Sequence, residues 1–447
     1  MNSLRQNREI ALQICNTLKK AGHEVFFVGG AVRDSLLGRK PKEYDIVTSA
    51  TPQETSQLFA KVVPLGIKFG IVVVVEDGFP FEIATFREEG QYRDGRHPDA
   101  IRFSSASSDV LRRDFTINGL LQEPNGGEII DFIGGVTDLH QGIIRTIGKP
   151  HIRFGEDFLR MLRAVRFAGE LGFAIEEETM AAIKAHCQEI KRISKERIKS
   201  EITKILTSDG ARRSFELLAE TGLLAEIIPE MVSLKGCPQP PEYHPEGDVW
   251  EHTLRVLEEI DKTENPPPAL SWAGLLHDIG KPRTFSLSEG KIHFYGHDYE
   301  GARMAEAIAS RFCFSSADKK LITALIEKHM WFINADKMNG GKFKRFIAEK
   351  NFPLLLELHR WDALASSNDL KSYYHCQNAL KEMSNGAAEP LKLVNGNDLL
   401  CIGIPAGPLL GKILMAIEEA QLEGRIKSRE EALSWAKQIS QESIPKS

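Results

Sequence analysis

The apolar positions of this 447-residue chain change their period near residue 150. Before that point, "EVFFVGG", "GIVVVVE", "FEIATFR" and "AIRFS" are short β-branched or aromatic runs bounded by Gly, Pro or charge, which predicts strands. Helical patterns flank them, beginning with the amphipathic "MNSLRQNREIALQICNTLKKAG". From about Phe154 the spacing becomes helical, in "FGEDFLRMLRAVRFAGELGF" and again in "ERIKSEITKILTSDGARRSFELLAETGLLAEIIP". "KGCPQPPEYHPEG" and "SNGAAEP" read as linkers. The pattern predicts a small α+β head with a mixed or mostly antiparallel sheet at residues 1–150. Helical parts follow at 151–238, 239–384 and 385–447, the last a Gly-turned hairpin.

Composition narrows the function classes. A formal net charge of -5 excludes a globally basic nucleic-acid coat, although a local basic surface stays open. Six scattered cysteines with no C-x-x-C pair disfavour a disulfide framework or a thiolate zinc site. The longest purely apolar run, "IVVVV", is strand length, and the N-terminal pattern lacks the apolar core of a signal peptide. The expectation is a soluble, cytoplasmic protein with no membrane partner.

Candidate chemistry starts in "FFVGGAVRDSLLGRKPKEYDI". Gly29 and Gly30 stand where a strand hands over to a helix, and glycine permits the positive φ and close backbone approach of such a turn. The N–H groups of the new helix make an anion site, with Arg33 in its first turn. Glu43 and Asp45 flank Tyr44, so on a strand both carboxylates face one way and can hold the same divalent ions. Two Mg²⁺ ions serving a hydroxyl nucleophile and a triphosphate are a standard solution for nucleotidyl transfer. Glu82 is a third candidate ligand on a neighbouring strand. Taken singly, a double glycine is a tight turn and an E-x-D pair a solvated strand face; their ordered combination points to chemistry.

"GGAVRDSLLGRKPKEYDIVTSATP" resembles the head motif of the class II tRNA nucleotidyltransferase and bacterial poly(A) polymerase family, within the DNA polymerase β-like superfamily. That family reads D-x-D where this chain has Glu43, one methylene longer. The resemblance continues in "LRRDFTINGL", which implies nucleotide sugar and phosphate contacts from Arg112, Arg113, Asp114 and Asn118. It also extends to the E-D-x-x-R motif, matched from Glu156 to Arg160. An Asp accepts from the amino group, and an Arg donates to the ring nitrogen, that cytosine and adenine share on their Watson–Crick edges. The resemblance therefore implies that Asp157 and Arg160 read the base without a template, with Glu156 in support. By residue spacing alone, an intrahelical Asp157–Arg160 salt bridge is the alternative. The loop "REEGQYRDGRHPDAIRF" is of the kind that switches such enzymes from C to A, and its length argues against a CC-only enzyme. Lys199, Lys204, Arg212 and Arg213 fit an RNA backbone path and a solvated helix face equally.

A second constellation lies in "HPEGDVWEHTLRV", "LLHDIGKPRTF", "HFYGHDYEGARMA", "EKHMWF" and "HRWDALAS". Adjacent His277 and Asp278 on an apolar helix would both need buried partners. Mixed His/Asp ligation suits Mn²⁺, Mg²⁺, Ni²⁺ or Fe²⁺ in a hydrolytic site. The pattern resembles the HD superfamily of metal phosphohydrolases. This implies His252, His277, Asp278 and Asp362 as core ligands of a divalent transition metal or Mg²⁺, with His297 and His329 enriching the site or adding a second metal.

The resemblances together imply template-independent addition or repair of the 3′-terminal CCA of tRNA from CTP and ATP, fused to an HD phosphohydrolase. An A-adding enzyme and a poly(A) polymerase are the runners-up. A mainly hydrolytic protein with the head as an RNA-binding module is the reading from another class, and an RNA chaperone with two decayed sites a third. Oligomeric state is open, a homodimer included.

Overall fold

The computed structural model describes residues 2–41, 43–90, 101–338, 340–386, 393–422 and 424–442. The runs "EVFFVGG", "GIVVVVE" and "FEIATFR" become β1 (Val25–Val28), β4 (Ile71–Glu76) and β5 (Phe79–Thr85), and β2 (Asp45–Thr48) and β3 (Val62–Gly66) join them. With the short strands Leu121–Gln122 and Ile129–Ile130 they form one seven-stranded sheet. Its order is β3, β4, β5, β2, β1, then the two short strands. Only β2 and β5 run parallel; every other pairing is antiparallel, so the sheet is mixed. Val28, Val47, Phe86, Val110 and Leu121 form a buried cluster against it. The helix Asn2–Lys20 contacts β1 and β2 and buries Ile10, Ala11, Ile14, Cys15 and Leu18, the helical spacing of its sequence.

Two expectations need correction. Ile101–Phe103, from "AIRFS", is not in the main sheet; it pairs with Arg87–Glu89 in a separate ribbon. None of its three residues is buried, so it has no apolar face to give the larger sheet. The intervening residues 91–100, the centre of the proposed C-to-A loop, lie outside the described residues. The single helix expected around "FGEDFLRMLRAVRFA" is also broken. Pro150–Glu156 ends at Asp157, whose φ of -152° and ψ of 105° are extended, and a new helix runs over Leu159–Leu171.

The chain divides into two compact units, Met1–Val232 and Ser233–Ser447. The first joins the sheet to the helices of residues 150–227. The second is built on the helices Val249–Asp261, Pro268–Leu276, His297–Arg311, Ser316–Lys328 and Phe352–Ala365. Trp272 and Trp361 are its largest fully buried side chains. In place of the expected hairpin, three helices at Gly396–Cys401, Pro408–Leu422 and Arg429–Glu442 close over a separate small core that includes Leu399, Ile413, Ile417 and Ala432. The "SNGAAEP" linker lies largely outside the described residues. Among the described residues no helix is long and apolar enough to cross a membrane.

Candidate functional site

The end of β1 organises the head. Val28 pairs with Asp45, so the first residue of β2 lies beside the glycine turn. Gly29 adopts φ +70°, and a Cβ there would stand 3.7 Å from Asp45 Oδ2 and 3.8 Å from Arg113 Nη1. Glycine thus keeps the space between an acid and a guanidinium clear, at a φ other residues rarely adopt. The parallel register pairs Ile46 with Ile83, the residues that directly follow Asp45 and Glu82. Burial, then the charges of Glu43 and Glu82, push the Asp45 carboxyl up to about 6 against the pull of Arg113. An acid whose charge is disfavoured by two acidic neighbours belongs to a donor set that suits a divalent cation. Among the described residues, Glu43, Asp45 and Glu82 do not draw their oxygens into a cluster within 4.8 Å; Glu43 and Glu82 point to solvent.

The R-R-D segment is anchored by a residue the sequence reading missed. Asp109 is fully buried, and its Oδ1 accepts from Arg112 Nε (2.9 Å) and Nη2 (2.7 Å). Its Oδ2 accepts from Arg113 Nε (3.2 Å) and Nη2 (3.0 Å). Burial would raise the Asp109 carboxyl, but the two arginines hold it below the ordinary range. One carboxylate therefore aims two guanidinium forks, and Arg113 Nη1 reaches Gly29. The spacing i, i+3 and i, i+4 in "DVLRR" carried this signal.

Asp114, Asn118 and Arg33 form a framework. Asp114 Oδ2 accepts from Arg163 Nε (2.7 Å), and its Oδ1 from Asn118 Nδ2 (3.2 Å) and Phe115 N (2.8 Å). Burial opposes ionisation of Asp114, yet Arg163 and these donors hold it at about 2. Asn118 Oδ1 in turn accepts from Arg33 Nη1 at 3.1 Å. Arg33 is buried, pairs with Asp34 and lies over the Phe167 ring at 5.1 Å. The structure thus ties Arg33 into the protein rather than displaying it on the turn.

The break at Asp157 decides the base-reading pair. Asp157 and Arg160 do not form the intrahelical bridge, because Asp157 is not on a helix with Arg160. Arg160 Nη1 instead donates to Glu156 Oε2 (2.5 Å) and Arg153 O (2.8 Å). Glu156 also pairs with Arg153, whose Nη2 donates to the backbone carbonyls of Arg112 (2.6 Å) and Arg113 (2.7 Å). Asp157 is held by Arg197, on the helix Lys195–Leu206, and by Leu159 N at 3.0 Å. Arg197 lies forty residues downstream, and no local pattern signals it. Of the cations considered for an RNA path, Lys204 pairs with Glu201 and Arg212 and Arg213 with Glu216.

The second unit gathers the histidine segment. His277 is the cap of Pro268–Leu276, one step past the helix expected to carry it. His277, His297 and His329 each donate Nδ1–H to a carbonyl three residues earlier, Gly274 (2.9 Å), Phe294 (2.8 Å) and Ile326 (2.6 Å). His252 Nδ1 faces Glu246 Oε1 at 2.8 Å. All four rings therefore turn Nε2 inward. His252 and His277 meet Nε2 to Nε2 at 3.2 Å, as do His297 and His329 at 3.3 Å. Two bare acceptors at that distance need a proton or a cation between them. Asp278 Oδ2 lies 3.2 Å from His277 Nε2, and its Oδ1 3.5 Å from His297 Nε2; Asp362 Oδ1 lies 3.2 Å from His252 Nε2. Burial lowers His329, with His277 and His297 adding to it, to about 4. Burial also opposes charging His252, but Asp362 and Glu246 raise it to about 9. The donor set fits divalent metal: imidazoles oriented by their far nitrogens, and carboxylates between them. Gly280 permits the closeness, since a Cβ there would fall 2.3 Å from the carbonyl of His297. Glu246 and His244, 2.8 Å apart, were not foreseen; the signal was a second acid and His just ahead of His252.

Family models match for the poly A polymerase head domain at residues 25–145 and for the "Probable RNA and SrmB-binding site of polymerase A" at 172–234. Others match the HD domain at 249–366 and a tRNA nucleotidyltransferase domain 2 at 363–436. A CCA-adding enzyme of Anoxybacillus flavithermus is 46% identical over 95% of this chain and 96% of its own. One of Lactobacillus johnsonii is 33% identical, covering 97% and 98%. The crystal structure of the Bacillus stearothermophilus CCA-adding enzyme in complex with CTP superposes with a TM-score of 0.74 at 29% identity, covering 99% of each chain.

Proposed function

The chain belongs to the family of CCA-adding enzymes, and from that premise we propose that it builds or repairs the 3′-terminal CCA of tRNA in the cytoplasm from CTP and ATP. The observation that carries the reading is the glycine turn, which holds open the space between Asp45 and Arg113.

Glu43, Asp45 and Glu82 would hold Mg²⁺, which when bound lowers the pKa of an RNA 3′-hydroxyl and screens the triphosphate charge. Gly29 and Gly30 admit the phosphates close to backbone, and Arg112 and Arg113, aimed by Asp109, supply forked donors to them. Asp114, Asn118 and Arg33 hold the floor beneath. Asp157 accepts from the exocyclic amino group of C or A, and Arg160 supplies the donor to the ring nitrogen. A carboxylate has about four acceptor sites. Leu159 N and the two nitrogens of Arg197 occupy three on Asp157, which leaves one for that amino group.

Purified protein with Mg²⁺ and tRNA transcripts ending before CCA, after C and after CC tests this directly. CTP and ATP are offered separately and together, and products are resolved at single-nucleotide length. Growth by CCA and then arrest supports the reading. Extension of only the CC-ended tRNA by one A makes the chain an A-adding enzyme, and an unlimited A ladder makes it a poly(A) polymerase.

The inward-facing imidazoles favour a second activity, metal-dependent hydrolysis of phosphate esters at RNA ends, with the metal among Mn²⁺, Mg²⁺, Ni²⁺ and Fe²⁺. The double substitution of Glu43 and Asp45 by Ala separates the two. Loss of incorporation with hydrolysis intact supports two independent sites, whereas intact incorporation overturns the head assignment.

A further inference from the structure

An open cleft of about 550 Å³ in the second unit is lined by Met330, Trp331, Asn334, Lys337, Met338 and Lys342. It begins one residue after His329, whose imidazole belongs to the metal-fitting cluster. Trp331 is half-buried and packs against Phe346 with ring centroids 5.5 Å apart, and Lys328 Nζ lies 5.3 Å from its centroid. Phe346 is fully buried, so the indole rests on core and not on solvent. From residue 327 to 350 there are six Lys or Arg against three Asp or Glu, a local positive excess in a chain of net charge -5.

A backed aromatic ring, two soft thioethers and cations at the rim make a chemical pattern for one class of ligand. Every nucleobase has a π-face that stacks on an aromatic side chain whatever its identity, and the adjoining phosphates seek Lys. A protein partner or a lipid surface would ask for a broader apolar patch; a cleft of this volume takes one nucleotide. We propose that the Trp331 cleft is the nucleotide subsite of the histidine cluster. It stacks the base of an unpaired RNA terminus while Lys337 and Lys342 hold its backbone, and so presents the terminal phosphate ester to the groups around His329. The inference rests on the phosphohydrolase reading and names its substrate class: RNA ends with an unpaired terminal base, read without base preference.

The test uses the full chain with Mn²⁺ and two substrates, an oligoribonucleotide ending in a 2′,3′-cyclic phosphate and p-nitrophenyl phosphate, which has no base to stack. For Trp331→Ala the ratio of kcat/KM for RNA to that for the small ester should fall about tenfold or more. Trp331→Phe should restore most of it. Lys337→Glu with Lys342→Glu should lower the ratio further and weaken its salt dependence. An unaltered ratio in Trp331→Ala, or equal loss in the Ala and Phe variants, overturns the subsite. If the unsubstituted chain hydrolyses neither substrate, the phosphohydrolase reading fails by itself. A photo-crosslink from a 3′-terminal 4-thiouridine then decides the cleft independently. Crosslinking within residues 330–342 supports it, and crosslinking confined to other peptides overturns it.

Discussion

Arg197 grips Asp157 through both carboxylate oxygens, with Nη2 2.6 Å from Oδ2 and Nη1 3.3 Å from Oδ1. The pair fixes the orientation of a carboxylate that sits on an extended residue between two helices. Arg197→Gln removes the fixed fork but leaves a polar group. The kcat/KM for CTP should fall about tenfold, and discrimination against UTP should shrink in parallel, because a loosened carboxylate no longer demands an amino donor. Arg197→Lys should recover part of the rate and less of the selectivity, since ammonium cannot fork. Single-nucleotide incorporation with each triphosphate measures both. Wild-type selectivity in Arg197→Gln would falsify this positioning role.

Asp109 pairs with both Arg112 and Arg113. In Asp109→Asn the two guanidinia lose their charged anchor, and bonds of this kind are each worth about 1.5–3 kcal/mol. KM for CTP and ATP should rise by about ten- to a hundredfold, with less change in kcat. Steady-state kinetics with CTP on a tRNA lacking CCA, and with ATP on one lacking its final A, check the split, and a pure kcat defect would count against phosphate positioning.

The Asp45 carboxyl titrates near 6, above its ordinary 3.8, because burial and its acidic neighbours disfavour its charge. A raised acid is neutral below its folded pKa, so protons compete with Mg²⁺ there. The Mg²⁺ concentration giving half-maximal incorporation should be nearly level above about pH 7 and climb as pH falls through 6, close to tenfold per unit. Glu82→Gln removes one repelling charge and should shift that rise to lower pH. A Mg²⁺ requirement that is flat from pH 5 to 8 would remove Asp45 from the metal site.

Glu246 acts on the other unit. Its Oε1 takes hydrogen bonds from His244 and His252, both at 2.8 Å, and although burial opposes its charge, these hold its carboxyl at about 2. The bond to Nδ1 turns His252 Nε2 toward the cluster, the nitrogen that must be bare to ligate metal. Glu246→Gln can turn its amide NH₂ toward Nδ1 and favour the wrong tautomer. Mn²⁺ affinity, read by titration calorimetry, should drop about ten- to a hundredfold. CCA addition should keep its rate, since no residue of the head is touched.

Legibility in the sequence followed the range of the interaction. The glycine turn, the E-Y-D pair and the runs that form β1, β4 and β5 were readable because each rests on alternation or adjacency within a few residues. The six histidine-segment residues were readable as types, and the structure does bring them together. The partners that orient them were harder. Asp109 was visible in its i, i+3 and i, i+4 spacing to two arginines yet reads equally as a solvated helix charge. Arg197, forty residues from Asp157, left no local trace. The Asp157 break was hidden because "FGEDFLRMLRAVRFA" has helical spacing on both sides, and spacing carries through one extended residue. Arg33 resembled a phosphate ligand in the first turn of a helix; its bond to Asn118, eighty-five residues on, exists only in the fold.

Asp278 belongs to both inner histidine clusters, with His252 and His277 on one side and His297 and His329 on the other. It also meets Lys281 Nζ at 2.7 Å. A single carboxylate at that crossing makes the two positions one thermodynamic object. Whatever fills the first resets the charge and orientation that the second will find, and by reciprocity the second acts on the first with the same coupling free energy. Metal ions held at both would therefore fill them as a coupled pair, with an occupancy curve that belongs to the pair and to neither position alone.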